Sequence, residues 1–152
     1  MKKILIIAAI LFSGIMAKAQ TEADIWELVK SDLKIEYKAI LAQNMNFSEE
    51  EAVIFWPIFN EYMTKKGANL DKTMKLLEDY ATNYESFTDE KIEELIKASN
   101  SQKTERLQNN MHYYKTLKKA LGIHKAAKLY QIDGQINTIF DFQIASQVPI
   151  IK

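Results

Sequence analysis

Two histidines, a pair of aspartates and a few serines are the side chains with which this chain of 152 residues could do chemistry. His112 and His124 flank Gly122, without the H-x-x-x-H or H-E-x-x-H spacing that sets two imidazoles on one helix face around a metal ion. Asp133 and Asp141 are eight residues apart in a segment of helical character, so they share a face only loosely. Paired carboxylates act as general acid and base when both reach one bond, whereas aspartates spaced along a helix usually serve its hydration. Ser31, Ser48 and Ser99 lack the Gly-x-Ser-x-Gly elbow that exposes a nucleophile, and no Gly-rich phosphate loop follows a strand. Cysteine is absent, which removes thiolate catalysis, disulfides and Cys-based zinc sites. Tyr80, Tyr84, Tyr113 and Tyr114 sit at helical spacing and read as residues of a core edge, with a polar tip and an apolar body. The expectation is a protein that is not an enzyme, with no catalytic, cofactor-binding or metal residue.

One stretch stands out for binding. In "FWPIF", residues 55–59, three aromatic rings crowd around a proline inside an otherwise helical pattern. In a helix interior Pro57 has no N–H for the carbonyl of Val53, and its ring crowds that carbonyl, at a cost of about 3 kcal/mol. Burying a large aromatic side chain contributes about 2 to 3 kcal/mol, enough to offset much of it. Two readings follow: the cluster is core packed into the concave side of a bend, or it lines a partly open apolar surface. On the second reading Phe55, Trp56, Phe59, Tyr62 and Met63 form a protein-binding surface.

The elements that must position these groups are helices. Ile25, Val29, Leu33, Tyr37, Ile40 and Leu41 recur at steps of three and four, which predicts a helix over about 24–44. Ser48 and Glu51 form the capping box S-x-x-E, marking a new start at about 49. The stripe Phe55, Phe59, Tyr62, Leu70, Met74, Leu77 keeps its phase through Pro57 and Gly67, so the second helix is expected to bend and continue to about 84. Thr88 before Asp89 and Glu90 signals a third start, and its helix runs over about 89–121 to Gly122. The short "ESF" link makes these two an antiparallel hairpin, setting Leu77 near Ile96, Tyr62 near Met111 and Phe59 near Tyr114. "KASNSQKTER" is almost wholly polar, which predicts a thin apolar seam halfway along the third helix. A fourth helix over about 124–146 carries Ala127, Leu129, Ile132, Ile136, Ile139, Phe140 and Ile144 as a broad packing face. The apolar "VPII" after it is expected either to tuck under the helices or to dock on a second copy. The fold class is all-α, about four helices.

At the chain start Lys2 and Lys3, the apolar "ILIIAAILFSGIM" and Ala17-Lys18-Ala19 have the three parts of a secretory signal peptide, with cleavage expected before Gln20. The apolar run is too short for a stable membrane span. Removing Lys2, Lys3 and Lys18 from the 20 basic and 20 acidic side chains leaves 17 against 20, a net charge of −3. A mildly acidic exported chain without a basic block is not expected to bind nucleic acid. Residues 20–152 are long enough for one helical domain, expected in the periplasm with no transmembrane segment after cleavage.

"NFSEEEAVIFWPIFNEY" is similar to the L-T-x-x-Q segment that opens helices in Spy/CpxP-like periplasmic proteins, and "TLKKALGIHKAAKLY" resembles their second copy of it. Phe47 and Ser48 fall at the Leu and Thr positions, with Glu51 in place of the Gln; in the second copy Leu121 matches, with Gly122 and Lys125 in place of Thr and Gln. Across nearly all of residues 20–152, "SDLK", "FWPIFNEY", "DYATNY", "YQIDGQIN" and "QIASQVPII" together resemble a group of secreted bacterial helical proteins of uncharacterised function. The Spy/CpxP resemblance implies a cradle-like helical protein, often a homodimer, that binds non-native envelope proteins without ATP or damps an envelope stress sensor. The first expectation is thus an ATP-independent envelope chaperone or stress-response protein. The alternative is a dedicated regulator holding one envelope sensor or anti-sigma partner. Neither implies a cofactor.

Overall fold

The computed structural model describes residues 22–151; the signal-peptide expectation for residues 1–19 falls outside them. The fold is all-α: α1 (Glu22–Met45), α2 (Glu49–Asn83), α3 (Asp89–Leu121) and α4 (Ile123–Gln147), with no strand among the described residues. None of the described helices is long and apolar enough to cross a membrane.

Local chemistry explains each boundary. Near the end of α1 the Asn44 side chain folds back and donates to the Ile40 carbonyl one turn earlier at 2.7 Å. Asn46 then turns the chain at φ 44, in the left-handed region that Asn tolerates better than most residues. The Ser48 hydroxyl accepts from the Glu51 N–H at 3.2 Å while the Glu51 carboxylate accepts from the Ser48 N–H at 2.9 Å, so the capping box closes both ways. From there α2 runs through Pro57 without a break. Thr88 caps α3 by accepting from the Lys91 N–H at 3.2 Å. A single residue divides α3 from α4: the Gly122 N–H donates to the Lys118 carbonyl at 3.1 Å, and its own carbonyl accepts from Ala126, also at 3.1 Å. Its φ of 82 is the reason the position holds glycine.

Within the span read as one domain, contacts gather in two compact units. One holds α1 up to Asn44 together with residues 131–150. Val29, Tyr37, Leu41 and Ile132 are its buried apolar residues, and Asp133 is buried among them. Tyr37 donates its hydroxyl to Asp133 Oδ1 at 2.8 Å, and Asn137 donates to Oδ2 at 2.8 Å, which meets the requirement that a buried carboxylate be hydrogen-bonded.

The other unit spans residues 45–130 and is built on the α2–α3 hairpin. The Tyr62 and Tyr113 rings stack with centroids 4.1 Å apart, and the Tyr62 hydroxyl donates to Asn110 at 2.9 Å. Farther along, Asn69 donates to the Gln102 carbonyl at 3.3 Å, Thr73 to the Gln102 side chain at 3.3 Å, and Lys72 meets Glu105 at 2.5 Å. Lys91 and Asp79, 2.7 Å apart, close the far end. Polar contacts thus hold the middle, where the sequence predicts a thin apolar seam.

The register of the hairpin matches the expected one, but the face of α3 differs. Tyr62 meets residues 110 and 113, on either side of Met111, while Met111 itself is 36% exposed. Leu95, not Ile96, is buried at the other end. Leu95 and Tyr113 lie eighteen residues apart, five whole turns, with Leu117 one turn on; Ile96 and Leu107 fall about a third of a turn to the side and Met111 nearly half a turn. Of the broad apolar face expected on α4, Leu129 and Ile132 are buried and Ile136, Phe140 and Ile144 half-buried, whereas Ala127 and Ile139 are exposed. In the "VPII" tail Val148 is half-buried, whereas Pro149 and Ile150 are exposed, Ile150 at 88%.

Candidate functional site

The beginning of α2 has two sides of opposite character. On the inner side Phe47 stacks on Phe55 at 4.5 Å, Phe55 lies 5.6 Å from Phe59, and Trp56 meets both rings edge-on at 5.0 and 5.7 Å. Phe55 and Phe59 have no solvent exposure, and Tyr62 and Met63 are buried. Of the two readings of Phe55, Trp56, Phe59, Tyr62 and Met63, burial fits the core for four, Phe55, Phe59, Tyr62 and Met63. Only Trp56, about 100° around the helix from Phe55, remains half-buried and within reach of a partner.

The outer side carries what periodicity did not single out. Val53 is 74% and Ile54 45% exposed, two residues and one residue before Phe55 and therefore off its stripe. Pro57 is exposed beside them, and Glu49, Glu50, Asn60 and Glu61 surround them with polar groups. The signal was present in the sequence, since a β-branched pair out of phase with a buried stripe must face solvent or a partner.

Charges fix the cluster in place. Lys125 from the start of α4 pairs with the Glu51 carboxylate and lies 5.7 Å from the centroid of the Phe47 ring. The hydrogen bond from Lys125, then that from the Ser48 N–H, holds the Glu51 carboxyl below its ordinary range. Hydrogen bonding from the Ser48 side chain lowers Glu50, and from Lys65 lowers Glu61. One turn on from Tyr62, buried Lys66 sets its ammonium 5.5 Å from the Tyr62 ring.

The other candidates for chemistry occupy ordinary positions. His112 and His124 are exposed; His112 borders a shallow cleft that Glu61, Lys65 and Tyr113 also line. Asp133 is engaged by Tyr37 and Asn137, while Asp141 is half-buried. Ser48 acts as a helix cap. Among the described residues no three His, Cys, Asp or Glu side chains gather as metal ligands would. No family model, no curated protein and no solved structure matches the chain.

Proposed function

We propose that this chain is an exported, Spy/CpxP-like helical protein of the bacterial envelope that holds non-native proteins without ATP, gripping them at the outer side of the first turns of α2. The observation that carries the reading is the exposure of Val53, nearly one turn before half-buried Trp56, and of Ile54 farther round the outer side of α2, with Phe55 and Phe59 packed on the inner side. A rigid floor lets the outer side chains meet a client without unfolding the helix that bears them. The flanking carboxylates keep the patch hydrated when empty, so that clients bind weakly and leave. The secretory signal and the L-T-x-x-Q-like segments point to the same place of work.

The test mixes the purified protein at equimolar ratio with two unrelated aggregation-prone proteins refolding without nucleotide and follows light scattering. Suppression of both, weakened severalfold by Val53→Asp at unchanged helicity, is expected. Suppression of neither, with one envelope protein copurifying instead, would replace this reading with the dedicated regulator.

A further inference from the structure

We propose that the corner between α3 and α4 docks the chain on the surface of an anionic phospholipid bilayer, with Ile123 at the headgroup boundary and Lys118, Lys119 and Lys128 on the lipid phosphates. The inference stands apart from client holding and uses none of the side chains assigned to it.

The charge of this chain is unevenly spread. None of its 20 acidic side chains lies between Arg106 and Ile132, a stretch that holds Arg106, five lysines and both histidines. No three of these cations are consecutive, so no basic block marks the sequence; the one-residue turn at Gly122 gathers them. Lys118, Lys119, His124 and Lys128 are exposed and lie within six residues of Gly122, at most about 9 Å along either helix. Lys125, the remaining lysine at the corner, is held by Glu51.

Helix stability does not account for this arrangement. Lys118 and Lys119 suit the negative end of α3, but the start of α4 is the positive end of its dipole and favours acids. Its first turn has none, and His124 and Lys125 occupy it instead, with Lys128 one turn on. An anionic partner at the corner offsets that repulsion.

Shape and apolar content favour a bilayer over an acidic protein. Of residues 118–124 all but Leu121 are exposed, so the corner protrudes and offers no groove. Ile123, 51% exposed, sits at the tip, with exposed Ala127 one turn on beside the row of His124 and Lys128. An apolar tip flanked by cations matches an interface at which phosphates lie over acyl chains, the lysine stems lying on apolar surface and their ammonium groups among the headgroups. Each lysine near an anionic surface strengthens binding about fivefold, so three give about a hundredfold, a reversible and salt-sensitive attachment.

Flotation with vesicles of phosphatidylcholine containing one third phosphatidylglycerol, against phosphatidylcholine alone, gives the first readout. No client is present, so the outcome is independent of client holding. Binding is expected to the mixed vesicles only, to be released by salt, and to weaken at least about tenfold when Lys118→Gln and Lys119→Gln are combined at unchanged helicity. The chain has no cysteine, so a single thiol-linked fluorophore reports depth. At Ile123→Cys its emission is expected to shift to the blue on the mixed vesicles; at Ile96→Cys, about 39 Å along α3 from Gly122, it is not. A shift at Ile96→Cys without one at Ile123→Cys would overturn the site. Equal binding to phosphatidylcholine alone, or a double glutamine variant that binds like the parent, would overturn the role of charge. Failure to bind the mixed vesicles at low salt would overturn the proposal, and polyglutamate binding lost in the glutamine variant would then make an acidic protein the partner.

Discussion

Lys125 places its ammonium on the Glu51 carboxylate, the same carboxylate that accepts from the Ser48 N–H and closes the α2 cap. One side chain therefore serves two elements, capping α2 and anchoring the first turn of α4. Opposite charges at the first turns of two helices thus meet.

This relationship has a pH dependence of definite sign. The folded state holds the Glu51 carboxyl low, so its contribution to stability is complete above the unfolded carboxyl range near 4.3 and is lost as pH falls through the lower folded value. Glu51→Gln keeps an acceptor for the Ser48 N–H but has no proton to gain. Urea unfolding from pH 6 down to pH 3 should show a steeper loss for the parent than for Glu51→Gln.

Burial separates floor from surface around Pro57. Phe55→Ala and Phe59→Ala remove rings with no solvent exposure and should each cost about 3 to 5 kcal/mol. Val53→Ala, at an exposed position, should change stability by less than about 0.5 kcal/mol. Chemical denaturation of the three variants checks the division.

In the unit formed by α1 and residues 131–150, Tyr37→Phe takes a donor away from a buried carboxylate without changing the packing. The expected loss is about 1 to 3 kcal/mol, the cost of leaving a buried group short of a partner. Urea unfolding followed by circular dichroism reads it.

Two glycines should respond in opposite directions. A methyl group at either meets no atom within 4 Å, so only the backbone decides. Gly122→Ala puts a side chain at φ 82 and should destabilise by about 1 to 2 kcal/mol. Gly134→Ala, inside α4, should stabilise by about 0.4 to 1 kcal/mol. Thermal unfolding of both variants shows the contrast.

The helix starts were legible because caps are local chemistry: Ser48 with Glu51, and Thr88 before two acids, specify an N-terminus within four residues. The hairpin register was legible from the shortness of its turn. The inner face of α3 was not, because Leu95 and Ile96 are adjacent and apolar, and only the partner helix decides which of them turns in. The aromatic cluster hid its role for a related reason. Periodicity put Phe55, Phe59 and Tyr62 on one stripe, but whether a stripe is covered depends on Phe47, Tyr113 and Lys125, distant in sequence from one another.

The central claim is that the outer side of the α2 start receives non-native chains, and Trp56 can report it directly. Trp26 is the other tryptophan, so a Trp26→Phe background leaves Trp56 as the sole indole. We would titrate this variant with a tryptophan-free polypeptide, once permanently unfolded and once folded, and record emission. The account predicts a saturable blue shift with the unfolded chain alone, as a half-exposed indole is covered. An unchanged spectrum, or the same shift with the folded protein, would contradict it.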